Sequence, residues 1–172
     1  MNIERIQGSE CVVFNENGEK SIAIPLLIPN LPRKVSLDNS IFVLKSEFHA
    51  TVLPIIKIKE KNKIFDTKFD DFIIDYFCRY VENRPIEFIK YTGEFRIASK
   101  RDKKTIIAMC ELSNLPDLYK MINEKYNLKL EVPPAHVTMY TLYNKLGIFI
   151  IDSDDINKMT KSVKIPELES FF

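Results

Sequence analysis

The sequence predicts an α+β fold, a single two-lobed domain of mostly antiparallel strands with one main helix per half. Three observations lead there. Residues 47–53 and 134–140 read almost alike. Each carries a His, one small or apolar residue, a Thr and then an apolar residue, one copy in the first third of the 172-residue chain and one in the last. Two stretches, 67–83 and 114–127, repeat apolar residues at helical spacing. Around them lie short runs of β-branched and aromatic residues bounded by turn residues, with no linker rich in Gly or Ser.

Each element follows in order. Residues 11–14 and 21–28 are β-rich, and Asn15-Glu16-Asn17-Gly18 between them is a turn by composition, since Asn and Gly tolerate positive φ. A hairpin is expected, and the apolar run 21–28 also suits a flap. Residues 29–33 are a proline-punctuated connection. A strand is expected at 41–44, Lys45-Ser46 turns, and the first motif strand follows. Residues 57–63, rich in lysine, read as a solvated loop. The stripe Phe69, Phe72, Ile73, Tyr76, Phe77 and Tyr80 makes 67–83 a helix, with Thr67 and Asp70 as a capping-box-like start and Arg84-Pro85 as its end. Residues 86–100 read as a strand with a bend at Tyr91-Thr92-Gly93, and 100–104 as a charged hairpin turn. The continuous apolar run 105–112 is expected to be a central strand. In 114–127 the stripe is Leu115, Leu118, Tyr119, Ile122 and Tyr126, with Pro116 near the start where proline is tolerated. The second motif strand spans 135–142, Asn144-Lys145 turns, 147–151 is a strand, 152–160 a short helix capped by Asp152 or Ser153, and 163–165 closes a sheet edge.

The two motifs hold both histidines of the protein. On a strand, alternate side chains share a face. His49 and Thr51 then lie together with Ala50 and Val52 turned inward, and His136, Thr138 and Tyr140 lie together with Val137 and Met139 turned inward. With seven threonines in the chain, chance would put a Thr two places after both histidines about once in several hundred such chains. Two imidazoles across a groove suit phosphodiester displacement. One takes a proton from the attacking oxygen, the other gives one to the leaving oxygen, and the threonine hydroxyls donate to the non-bridging oxygens. The scheme asks for no metal and no cofactor. Glu47, two residues before His49, orients that imidazole or raises its pKa, or is a solvated edge charge. Tyr140 stacks on a base, bonds a phosphate or is wall packing. Arg96, facing opposite to Phe95 and Ile97, is a phosphate contact if its strand borders the groove.

At His49-Ala50-Thr51 and His136-Val137-Thr138 the sequence resembles the 2H phosphoesterase superfamily, the LigT-like and cyclic-phosphodiesterase-like proteins. Chain size, motif spacing and the order of elements between the motifs fit as well. The resemblance implies a two-lobed, pseudo-symmetric fold with an active-site groove between the lobes. It further implies metal-independent hydrolysis of 2′,3′-cyclic phosphates, 2′-5′ linkages or cyclic nucleotides, with His49, His136, Thr51 and Thr138 as the working residues. It does not choose among these substrates, nor among RNA repair, turnover of cyclic nucleotide signals and counter-defence.

A net charge of +1 argues against long duplex nucleic acid as a partner and leaves a nucleotide or short oligonucleotide. Three cysteines, odd in number and without metal-ligand spacing, fit reduced thiols in a cytoplasmic setting. No secretory signal and no run of membrane-spanning length is read, so no membrane partner is expected. Three rivals stand beside the hydrolase. A metal hydrolase would use the histidines as ligands, but there is no His-x-His, no Cys pair and no carboxylate cluster beyond Glu47. A non-catalytic nucleotide- or RNA-binding module would use the same fold. An RNA 2′-5′ ligase would run the same transesterification in reverse.

Overall fold

The computed structural model describes residues 2–16, 18–28, 30–142, 147–169 and 171. Its strands are β1 (Asn2–Arg5), β2 (Val12–Glu16), β3 (Glu19–Leu26), β4 (Lys34–Leu37), β5 (Ser40–Leu44), β6 (Phe48–Leu53), β7 (Phe88–Lys100), β8 (Lys103–Leu112), β9 (His136–Thr141) and β10 (Thr160–Val163). Its helices are α1 (Ile55–Asn62), α2 (Phe69–Val81), α3 (Leu115–Tyr126) and α4 (Ser153–Met159), with a 3-10 turn at Pro166–Leu168. The class is α+β with mostly antiparallel strands. Four helices stand among the described residues: α2 and α3, which the stripes marked as the main helix of each half, the short α4 expected at 152–160, and α1, which was not expected. Residues 1–25, 51–88 and 112–132 gather into one compact unit, and residues 26–50, 89–111 and 133–172 into a second. Among the described residues no helix is long and apolar enough to cross a membrane.

In the first unit, β2 pairs antiparallel with β3, as the hairpin reading expects, β1 pairs antiparallel with β2, and β3 neighbours β6. Strand β1 was not foreseen, since all four of its side chains are exposed and leave no alternation to read. Ile22, Ala23 and Ile24 of β3 are buried. Helix α2 buries Phe69, Ile73, Phe77, Tyr80 and Val81, whereas Phe72 is half exposed. Helix α3 buries Leu115, Leu118, Tyr119 and Ile122, and the Tyr119 hydroxyl donates to the Val52 carbonyl at 3.0 Å, tying α3 to β6. Tyr126 meets Phe69 and Tyr76 edge to face, at centroid distances of 5.6 and 6.1 Å. Fully burying a side chain such as Ile73 stabilises by about 1.5–3 kcal/mol.

Two expectations fail in this unit. Residues 57–62 of the expected loop 57–63 are instead the body of α1. Ile55 and Ile58 lie one turn apart and are buried, lysine is a good helix former, and Lys57 and Lys59 are ion-paired with Glu60 and Asp70, both at 2.6 Å. Lys63, in the left-handed conformation, ends it. Thr67 does not cap α2. The helix begins at Phe69 with no side-chain cap, and the Asp66 carboxylate instead accepts the Lys68 N–H at 2.8 Å.

In the second unit the sheet runs from the start of β6 through β9, β8 and β7 to β10, and β4–β5 joins at β9. The long strands β7 and β8 are joined at Arg101-Asp102, with Arg101 at φ 56°. β8 lies between β9 and β7, as its apolar run required. Ala98, Ile107, Ile148 and Ile150 form a core with Met109, Ile156 and Met159 against it. Asp152 caps α4 by accepting the Asp155 N–H at 2.8 Å. Residues 147–151 form no strand. Ile148 and Ile150 are buried and Phe149 is exposed, so the alternation is real but arises from packing without a ladder. The turn expected at Asn144-Lys145 lies outside the described residues.

Candidate active site

Strands β6 and β9 carry the motifs, and His49, Ala50 and the whole of His136-Val137-Thr138 lie in the second unit. Along β6, Ala50 is fully buried and His49 half-buried. Along β9, Val137 is fully buried between the half-buried His136 and Thr138. The strands pair antiparallel with Ala50 opposite Val137. His49 therefore stands opposite Thr138, on the face away from that buried pair, and His136 is the next residue of β9 on the same face. Directly opposed side chains in such a pair lie about 5 Å apart at Cβ. On the far side of β9, Met109 opposes His136 and Ile107 opposes Thr138. Thr51 follows on β6 as the first residue of the other unit.

The electrostatics hold both rings neutral. Burial pushes the His49 pKa from its ordinary 6.5 to about 4, and the nearby Lys45 and His136 push in the same direction. Burial also lowers His136, opposed by its hydrogen bond to the Pro134 carbonyl. That bond fixes the His136 tautomer. Nδ1 lies 2.7 Å from the Pro134 oxygen, and a carbonyl only accepts, so Nδ1 carries the proton and Nε2 of the neutral ring is the basic atom.

Of the other residues the sequence singled out, none is brought to the histidines by a described contact. Glu47 precedes β6, so strand alternation does not extend to it. It is exposed, and its field acts on Lys45 rather than on His49. Tyr140 leaves the His136 face. Ile106 opposes Tyr140 while Ile107 opposes Thr138, so Met139 is an extra residue on β9 and the bulge breaks the alternation. Tyr140 is fully buried and its hydroxyl donates to the Pro32 carbonyl at 3.0 Å. Arg96 sits on β7, with β8 between it and β9. It is ion-paired with Glu94, and its Nε donates to Thr160 Oγ1 at 2.6 Å.

Three residues at the site were not read from the sequence. Pro134 acts through its carbonyl, which no side-chain motif reports. Lys45 looked like one lysine among many. Gly147 lies against Thr138, where an added Cβ would stand 3.0 Å from Oγ1 and 3.6 Å from both Cβ and Cγ2. Its rarity was the available signal, since the chain has four glycines. Among the described residues no three His, Cys, Asp or Glu side chains converge as a metal-ligand set.

The chain matches no protein-family model, no curated protein and no solved structure.

Proposed function

We propose that the protein is a metal-independent phosphodiesterase that hydrolyses a nucleotide phosphodiester on a two-lobed, 2H phosphoesterase-like fold. The substrate class is a 2′,3′-cyclic phosphate, a 2′-5′ linkage or a cyclic nucleotide. The observation that carries the reading is the β6–β9 register, which sets His49 opposite Thr138 with His136 next along the same face. His136 Nε2 takes the proton of the attacking water or ribose hydroxyl as the new P–O bond forms. His49 gives a proton to the leaving oxygen as the old P–O bond breaks. The hydroxyls of Thr138 and Thr51 donate to the non-bridging oxygens, where charge grows in the transition state. Exchange with solvent then returns the proton from His136 and reloads His49.

A second reading has an observation of its own. Both imidazoles are held neutral in the free protein, which also suits a module that binds a nucleotide without turning it over.

The test is a turnover screen in excess EDTA with 2′,3′-cyclic nucleotides, 2′-5′ and 3′-5′ oligonucleotides and cyclic mono-, di- and trinucleotides. Wild type is run beside His49→Ala and His136→Ala. Turnover lost in both variants, with a bell-shaped pH profile, supports the phosphodiesterase and identifies its substrate. Binding without turnover supports the module. Turnover that survives both substitutions overturns the reading.

A further inference from the structure

A site for a phosphodiester must meet a negative charge, and two neutral imidazoles supply none. Arg96, the cation the sequence offered, is already engaged by Glu94 and Thr160. Lys45 is placed differently. It follows the last residue of β5, and its backbone N–H donates to the Met139 carbonyl at 3.0 Å. That bond holds residue 45 against the β9 bulge, next to Thr138 in sequence and four residues before His49. Its side chain is half-buried. Among the described residues its ammonium has no carboxylate within ion-pair distance, whereas Lys20, Lys57, Lys59, Lys90 and Lys158 each have one. Glu47, two residues on, is exposed and acts on it only through space. An ammonium drawn out of water without a partner is held at a cost that an arriving anion offsets.

We infer that Lys45 is the phosphate anchor of the site, its ammonium taking a non-bridging oxygen of the substrate beside His49 and Thr138. The inference rests on the phosphodiesterase reading for the role of that phosphate. It carries a second consequence. In the free protein the Lys45 charge suppresses protonation of His49. A phosphate seated on Lys45 cancels that field and adds a negative one, so binding itself raises the proton affinity of His49. The substrate thereby prepares its own acid, which resolves how a ring neutral at rest donates a proton.

Inorganic phosphate is the probe, followed by NMR at the His49 ring and the Thr138 amide in wild type, Lys45→Gln and Lys45→Arg. Thermal unfolding of each variant establishes that it is folded. Wild type is expected to shift at both positions, with the His49 ring moving toward its protonated form. Lys45→Gln should weaken phosphate at least about tenfold, the loss of one charge-assisted hydrogen bond, and Lys45→Arg should recover part of it. In phosphate-free buffer Lys45→Gln should titrate His49 at higher pH than wild type, an effect a merely structural lysine would not produce. Equal phosphate binding by wild type and Lys45→Gln, or no response of His49 and Thr138 to phosphate in wild type, overturns the anchor. Lys45-dependent phosphate binding in a protein that turns nothing over leaves the anchor standing and removes the catalytic reading. Undiminished kcat/KM in Lys45→Gln removes the anchor and leaves the catalysis.

Discussion

Replacing His49 by Gln should change how stability depends on pH. The imidazole titrates at 6.5 in the unfolded chain and at about 4 in the folded one. Between those values the unfolded state binds more protons, so stability conferred by the neutral buried ring is present above pH 6.5 and is lost as pH falls toward 4. The full loss below pH 4 is about 3 kcal/mol, and the part lost between pH 7 and pH 5 is about 2 kcal/mol. Burial is the largest cause, so most of the effect should survive high salt, while the contributions of Lys45 and His136 are screened. Other groups titrate over the same range, including His136, which is shifted in the same direction. The quantity to compare is therefore the loss in wild type minus the loss in His49→Gln. Urea unfolding of both proteins at pH 7 and pH 5 measures it. Wild type should lose about 2 kcal/mol more than the variant. Equal losses would show that His49 is not desolvated beside Lys45, and the electrostatic account of the site would fail with it.

Gly147→Ala should lower turnover by displacing the Thr138 hydroxyl, since the new Cβ would stand 3.0 Å from Oγ1. Adding Thr138→Ser to that variant removes Cγ2, gives the hydroxyl room and should restore part of kcat. An unchanged kcat and an unchanged Thr138 rotamer by NMR in Gly147→Ala would show that the contact is idle. Tyr140→Phe deletes the donor to the part-buried Pro32 carbonyl and should cost about 1 kcal/mol in urea unfolding. A large fall in turnover at unchanged stability would instead return Tyr140 to the substrate.

Much of the chain was legible because local pattern and tertiary role agree. The stripes of α2 and α3 face their core with few exceptions, and the run in β8 is continuous because the strand lies between two others. Where local signal and packing part, the reading failed. A lysine-rich segment becomes α1 because two isoleucines one turn apart are enough once buried. Residues 147–151 alternate like a strand because a core fills one side of them, and no ladder forms.

The sequence by itself determined the four-residue motif set His49, Thr51, His136 and Thr138 and the face each shares along its own strand, because period-two alternation is a local property. Tertiary structure decided the rest. The pairing of Ala50 with Val137 sets His49 opposite Thr138, and register between distant segments is not encoded in either segment alone. The bulge at Met139 turns Tyr140 inward, the Pro134 carbonyl selects the His136 tautomer, and the backbone of Met139 holds Lys45 in place. Each of these acts through backbone atoms, which every residue carries alike, and so leaves no mark in the order of side chains.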